Sequence, residues 1–157
     1  MSATECISVN EYAGGVLAID SGFTRDRMAA CYLLEGDGAA AFVETGTNAS
    51  VPRLLEVLER RGWSRGDVQW VIVTHVHLDH AGGAGSLMAA LPRATLAVHP
   101  RGARHMIDPS RLEASVRQVY GDETYDREYG ALVPVPEQRV RAVEDGERLR
   151  LGDRCAR

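Results

Sequence analysis

Apolar and polar positions change period along this chain, and the changes lay out its elements. Residues 16–20, 30–34 and 39–43 are apolar runs of strand length, the last two joined by Gly36-Asp37-Gly38, a turn suited to a hairpin. After the loop Glu44-Thr45-Gly46-Thr47-Asn48 the period becomes helical, with Val51, Leu54, Leu55 and Leu58 on one face. Ser50 can cap this helix, Pro52 suits its first turn, and Gly62 can end it in a left-handed conformation. Residues 68–73 form an apolar, β-branched strand that runs straight into a cluster of histidines. A helix is predicted over 81–91, with Ala84, Leu87, Met88 and Leu91 inward and Pro92 ending it. Residues 95–98 read as a strand and 111–120 as a helix, with His105 in a short helix between them. The polar stretch 121–136 reads as a long loop, and 140–151 as a hairpin turning at Asp145-Gly146. Strands alternating with helices predict an α/β fold in which helices cover a sheet.

Composition narrows the class without naming a chemistry. At 157 residues, 45% hydrophobic and 25% charged, the chain suits one soluble domain. A net charge of −4 leaves no basic face for a phosphate backbone, so no nucleic-acid partner is expected. All 18 basic residues are arginine, which excludes a lysine nucleophile and suggests a bacterial coding bias. The first ten residues include Glu5 and no basic cluster before an apolar run, unlike a secretory leader. No apolar stretch reaches the roughly 20 residues of a membrane span, so neither a membrane partner nor an anchor is expected. Cys6, Cys31 and Cys155 are widely spaced and read as unpaired thiols of a reducing, cytoplasmic setting.

The chemistry lies in Thr74-His75-Val76-His77-Leu78-Asp79-His80, which holds three of the five histidines. His75 and His77 are two apart, so at a strand end both project to the same side and can share one divalent metal. Asp79 and His80 follow as the chain turns toward the next helix and can reach a second metal. Gly82-Gly83 allows a tight bend and leaves room above the ions. Ionisable groups crowded at a buried strand end are costly without a cation to compensate them. His99 and His105 are not expected to be ligands. Tyr120, Tyr125 and Tyr129, with residues 101–106, could line a substrate mouth, but the tyrosines read first as packing residues, and Arg101 and Arg104 are equally readable as a solvated face.

Thr-His-Val-His-Leu-Asp-His-Ala-Gly-Gly resembles the signature of the metallo-β-lactamase superfamily, especially its glyoxalase II-like (hydroxyacylglutathione hydrolase-like) branch. The resemblance implies an αββα sandwich with its site at the edge where two sheets meet. It places His75 and His77 on a first metal and Asp79 and His80 on a second, zinc being expected and iron or manganese accepted by similar donors. Glu44-Thr45-Gly46 resembles the family's Asp-Thr-Gly segment, which supports the metal loop from behind, with Glu in place of the usual Asp. The family's third histidine (in a Pro-Gly-His turn), bridging aspartate and final histidine have no counterpart in this sequence. Residues 1–157 are therefore expected to be a single domain comprising the amino-terminal portion of the sandwich.

The implied activity is metal-dependent hydrolysis of a small-molecule thioester, ester or lactone through a metal-bound hydroxide, with Asp79 orienting the hydroxide and taking its proton. Two other readings accompany it. One is a non-catalytic, truncated fragment that binds metal weakly or not at all and self-associates through an uncovered sheet face. The other keeps the fold and changes the reaction, since superfamily relatives include iron dioxygenases acting on persulfides and tRNA-processing nucleases.

Overall fold

A computed structural model describes residues 6–156; the leader reading of residues 1–5 and the Cys155 side chain lie outside the described part. The chain opens with an antiparallel meander of β1 (Val9–Tyr12), β2 (Val16–Asp20), β3 (Ala30–Glu35) and β4 (Ala40–Val43). Helix α1 (Val51–Arg60) then crosses over to β5 (Val68–Val73), which lies parallel to β4. The short α2 (Leu78–Ala81) and α3 (Ala84–Ala90) lead to β6 (Thr95–Val98), parallel to β5. Helices α4 (Pro100–Ile107), α5 (Ser110–Tyr120) and α6 (Asp122–Glu128) precede β7 (Val140–Ala142), parallel to β6. These seven strands form one sheet in sequence order, and β8 (Leu149–Leu151) pairs with β9 (Arg154–Ala156) in a separate two-stranded sheet. The α/β class expected from the sequence is the one observed.

Register divides the large sheet into two unlike faces. Leu17, Ile19, Cys31, Leu33, Phe42, Val71, Val73, Leu96 and Val98 are buried together on one face under Leu54, Val57 and Leu58 of α1, Leu87 and Met88 of α3 and Met106 of α4. A fully buried leucine or phenylalanine of this kind contributes roughly 1.5–3 kcal/mol, so this layer dominates the stability. The opposite face carries Tyr32, Leu34, Ala41, Trp70 and Ile72 in cross-strand register. Among the described residues one end of it is covered, where Leu151 packs on Ala39 and Ala41 and Trp70 Nε1 donates to the Arg150 carbonyl at 2.7 Å. Tyr32 remains 37% exposed.

Five local expectations are corrected. Strand β1 was not foreseen, because all four of its residues are exposed and leave no apolar alternation to read. Ser50 does not cap α1 with its side chain; it closes a 3-10 turn, its Oγ accepting from Thr47 N–H at 3.2 Å. The helix predicted over 81–91 starts at Leu78 and breaks at Gly83, whose N–H donates to the Gly46 carbonyl at 2.8 Å. A Cβ at Gly83 would lie 2.6 Å from the Thr47 carbonyl, so glycine is what lets the two loops touch.

The stretch 121–136 is not all loop. Helix α6 restarts after Gly121 (φ 81°) and buries Tyr125 completely, while Arg117 of α5 sits 4.1 Å over the Tyr125 ring and pairs with Asp122 and Asp126. One buried residue in a polar helix is too weak a periodic signal to read. The hairpin expected over 140–151 is also absent. Asp145-Gly146 does turn the chain, but β7 satisfies the free edge of β6 while β8 pairs with β9 and its Leu151 packs on the other face. Among the described residues no helix is long and apolar enough to cross a membrane.

Candidate metal centre

Two parallel neighbours, β4 and β5, end side by side, and the candidate site grows from their carboxyl ends. Glu44 leaves β4 with φ at 64°, a left-handed conformation costing a non-glycine residue roughly 1–2 kcal/mol, and its N–H donates to the Ile72 carbonyl at 2.8 Å. That bend turns the Glu44 side chain inward, where the residue is only 5% exposed. Its Oε1 accepts from the Thr74 N–H at 3.0 Å, fixing the start of the histidine loop. Thr45 fixes the other end, since its N–H and Oγ1 both donate to the His80 carbonyl, at 2.8 and 3.0 Å. The acidic-Thr-Gly segment thus braces the loop from behind, as the family resemblance implied.

The loop itself departs from expectation in two respects, since His75 and His77 are exposed rather than buried and the strand ends short of them. Strand β5 stops at Val73, so His75 and His77 lie beyond it, in irregular backbone rather than on the strand. Their rings nevertheless approach edge-on with centroids 4.8 Å apart, and the His75 and His80 centroids are 4.3 Å apart. Asp79 and His80 occupy the single turn of α2, with Asp79 Oδ2 3.3 Å from His80 Nε2. On its other side His80 Nδ1 faces Glu44 Oε2 at 3.5 Å. His75 Nδ1 lies 2.9 Å from Thr74 Oγ1.

Glu44, which the family resemblance placed only in support, also has an oxygen close to two of the histidines. Atoms of Glu44, His75 and His80 that could bind metal all lie within 4.8 Å of one another. Glu44 Oε2 is buried and has no hydrogen-bond partner. A buried carboxylate oxygen left unpaired is costly, and a divalent cation is the compensation that this set of imidazoles and carboxylates can accept. The residues therefore fit a metal ion.

Two cavities flank the loop. One of about 360 Å³ is bounded by His77 and Asp79 on the polar side and by Phe23, Leu112, Val116, Tyr120 and Tyr129 on the other. Phe23 stacks on Tyr129 at 5.8 Å, and burial pushes the Tyr129 phenol above its ordinary pKa. Asn48 ties this wall to the scaffold: its Nδ2 donates to the carbonyls of Tyr129 (3.2 Å) and Ala131 (2.7 Å), and its Oδ1 accepts from Ser86 Oγ at 2.6 Å. Tyr120 and Tyr129 therefore face the cavity, while Tyr125 is a core residue. The second cavity, about 340 Å³, lies beside His75 and is lined by His99, Arg101, Arg104 and His105. His99 caps α4 there, its Nδ1 accepting from the Arg101 N–H at 3.2 Å.

Helices layered on one face of a mixed sheet, with a histidine-rich loop and a carboxylate at adjoining strand ends, define an α/β protein with a candidate metal site. The chain belongs to the metallo-beta-lactamase superfamily, whose family profile matches residues 24–154. Solved structures similar to it include the MIM-2 metallo-beta-lactamase, at 28% identity and a TM-score of 0.64 over 90% of this chain and 47% of that one. MEM-A1, a subclass B3 metallo-beta-lactamase from a soil metagenome library, aligns at 24% identity and 0.63 over 89% and 47%. SMB-1, solved with mercaptoacetic acid, shares the fold at 22% identity and 0.66 over 90% and 48%. The chain spans about half the length of these structures. No curated protein matches it significantly.

Proposed function

We propose that this chain is the metal-gathering part of a metal-dependent hydrolase that cleaves a thioester, ester or lactone of a small acyl substrate. The observation that carries the proposal is the convergence of His75, His77, Asp79 and His80 on one braced loop at the mouth of a half-apolar cavity. In this reading His75 and His77 hold one ion and Asp79 and His80 a second, zinc being the first choice for such donors. A bound divalent ion supplies Lewis acidity and lowers the pKa of water from 15.7 toward about 7. The remaining steps belong to the chain's own side chains. Asp79 faces the cavity and accepts the proton of the attacking water, held in orientation by its 3.3 Å approach to His80. Phe23, Leu112 and Val116 take the apolar part of the acyl group and exclude bulk water from the reacting carbonyl. The Thr-His-Val-His-Leu-Asp-His-Ala-Gly-Gly run supports placement in the glyoxalase II-like branch and so favours a thioester.

A second reading, metal capture without turnover, is favoured by the half-open second face of the sheet around Tyr32. One experiment separates the two: hydrolysis of a generic thioester and a lactone by the zinc-loaded chain, with Asp79→Ala alongside. Turnover that falls by roughly 10²–10⁴ in the variant supports a general base at this position. Unchanged turnover removes Asp79 from the mechanism, and no turnover by the parent chain favours the second reading.

A further inference from the structure

On the reading that this chain is part of a metal-dependent hydrolase, we propose that Arg101 and Arg104 form an anion subsite beside the histidine loop. It takes a carboxylate or phosphate carried by the leaving half of the substrate. The two cavities meet at that loop. Val76 borders both, His77 faces the half-apolar one and His75 faces the other. The two rings are only 4.8 Å apart. A carbonyl held at these histidines, with its acyl side toward Phe23, Leu112 and Val116, directs its leaving group into the second cavity of about 340 Å³.

That second cavity suits negative charge. Helix α4 lies close against the loop because Gly102 has no side chain: a Cβ there would be 2.8 Å from Val76 Cγ1 and 2.9 Å from Val98 Cγ2. Arg101 and Arg104, three apart on this helix, share a face and both line the cavity. Arg104 Nε donates to His105 Nε2 at 3.3 Å, which orients the guanidinium and leaves its terminal nitrogens to grip an oxyanion in a bidentate fork. Elsewhere the arginines are neutralised in place: Arg61 pairs with two carboxylates and Arg117 with three. Among the described residues neither Arg101 nor Arg104 forms an ion pair, and no acidic residue lines their cavity, although the chain carries 22 of them. Two unneutralised guanidiniums on one wall repel each other, and an anion between them turns that repulsion into attraction.

The test is an NMR titration of the 157-residue chain, with and without zinc, using propionate, inorganic phosphate and neutral propionamide at constant ionic strength. Saturable shifts of the backbone N–H signals of residues 101–105 are expected with an anion, in both metal states, and none with propionamide. The tighter of the two anions identifies carboxylate or phosphate as the natural group. Arg101→Gln and Arg104→Gln should each weaken the anion about tenfold, the loss of one charge-assisted hydrogen bond. Arg60→Gln, on α1 beside Glu56, should keep the parental affinity. Both cavity arginines are exposed, and the spectra themselves report folding. In the zinc-loaded chain, the preference in kcat/KM for the acetyl thioester of 3-mercaptopropionate over that of N-acetylcysteamine should also fall about tenfold in Arg104→Gln. Shifts that do not saturate, or that persist unchanged in both variants, overturn the subsite and leave the hydrolase reading standing. An unchanged thioester preference overturns the leaving-group role. Anion binding by a chain that takes up no zinc overturns the hydrolase reading and that role together, and leaves the anion site in place.

Discussion

Asn48 offers the sharpest test of how the cavity wall is held. Three hydrogen bonds converge on its side chain, from Ser86 Oγ and to the carbonyls of Tyr129 and Ala131, linking residues more than 80 positions apart in two of the three cases. Truncation in Asn48→Ala removes all three. A neutral hydrogen bond contributes roughly 0.5–1.5 kcal/mol net, and the bond to Ala131 is exposed, so water recovers most of its share. The expected loss is therefore about 2 kcal/mol, close to a 30-fold fall in the folding constant. For a domain of this size that corresponds to a Tm lower by about 4–8 °C.

Asn48→Asp gives the argument its sign. A carboxylate can still accept from Ser86, but it presents negative oxygen to two carbonyls that have lost their donor, so it must be at least as destabilising as alanine. Urea denaturation measures both variants, and hydrogen exchange across residues 129–133 shows whether the wall loosens first. An Asn48→Ala protein within about 0.5 kcal/mol of the parent, or an Asn48→Asp protein as stable as the parent, would refute the reasoning.

Two further outcomes follow from other contacts. Arg61, bound to both Glu35 oxygens at 2.8 and 2.9 Å, holds that carboxyl below its ordinary value of 4.5, with help from Trp63 Nε1. A depressed folded-state value gives stability that is present above the unfolded value and lost as pH falls through the folded one. Glu35→Gln should therefore cost about 1 kcal/mol at pH 7, and the gap should close as pH drops below the ordinary glutamate range; a pH-independent gap in thermal melts contradicts the assignment. In α3, a Cβ on Gly85 would sit 1.7 Å from the Val133 carbonyl, so Gly85→Ala should cost at least about 3 kcal/mol, and a parental Tm would show that the 131–136 segment does not pack there.

The parts legible from sequence share one property: their apolar residues face a single buried layer. Strands β2 to β6 and helix α1 each place two or more side chains in that layer, and their bounds were readable within about a residue. Strand β1, helix α6 and the split of β7 from β8 were hidden because exposed or polar residues build them and distant partners decide their fate. The histidine loop was legible as a dense local pattern. The aim of Glu44 was not, since it depends on a left-handed backbone at one residue and on β5 arriving beside β4. Tyr120 and Tyr129 carried no local signal distinguishing a cavity wall from a core.

The pairing of β4 with β5 also has a consequence in time. The meander from β1 to β4 closes through short turns and can form as soon as those residues are synthesised, whereas β5 must wait for α1 to dock. Glu44 is at the exit of one strand and Thr74 at the exit of the other, joined by a single hydrogen bond across the new neighbours. Zipping this one parallel ladder therefore creates the binding loop in the same cooperative step. A substitution that slows the docking of α1, such as one at Leu54 or Leu58, is expected to delay formation of the histidine loop as well, although both leucines lie in the core rather than in that loop.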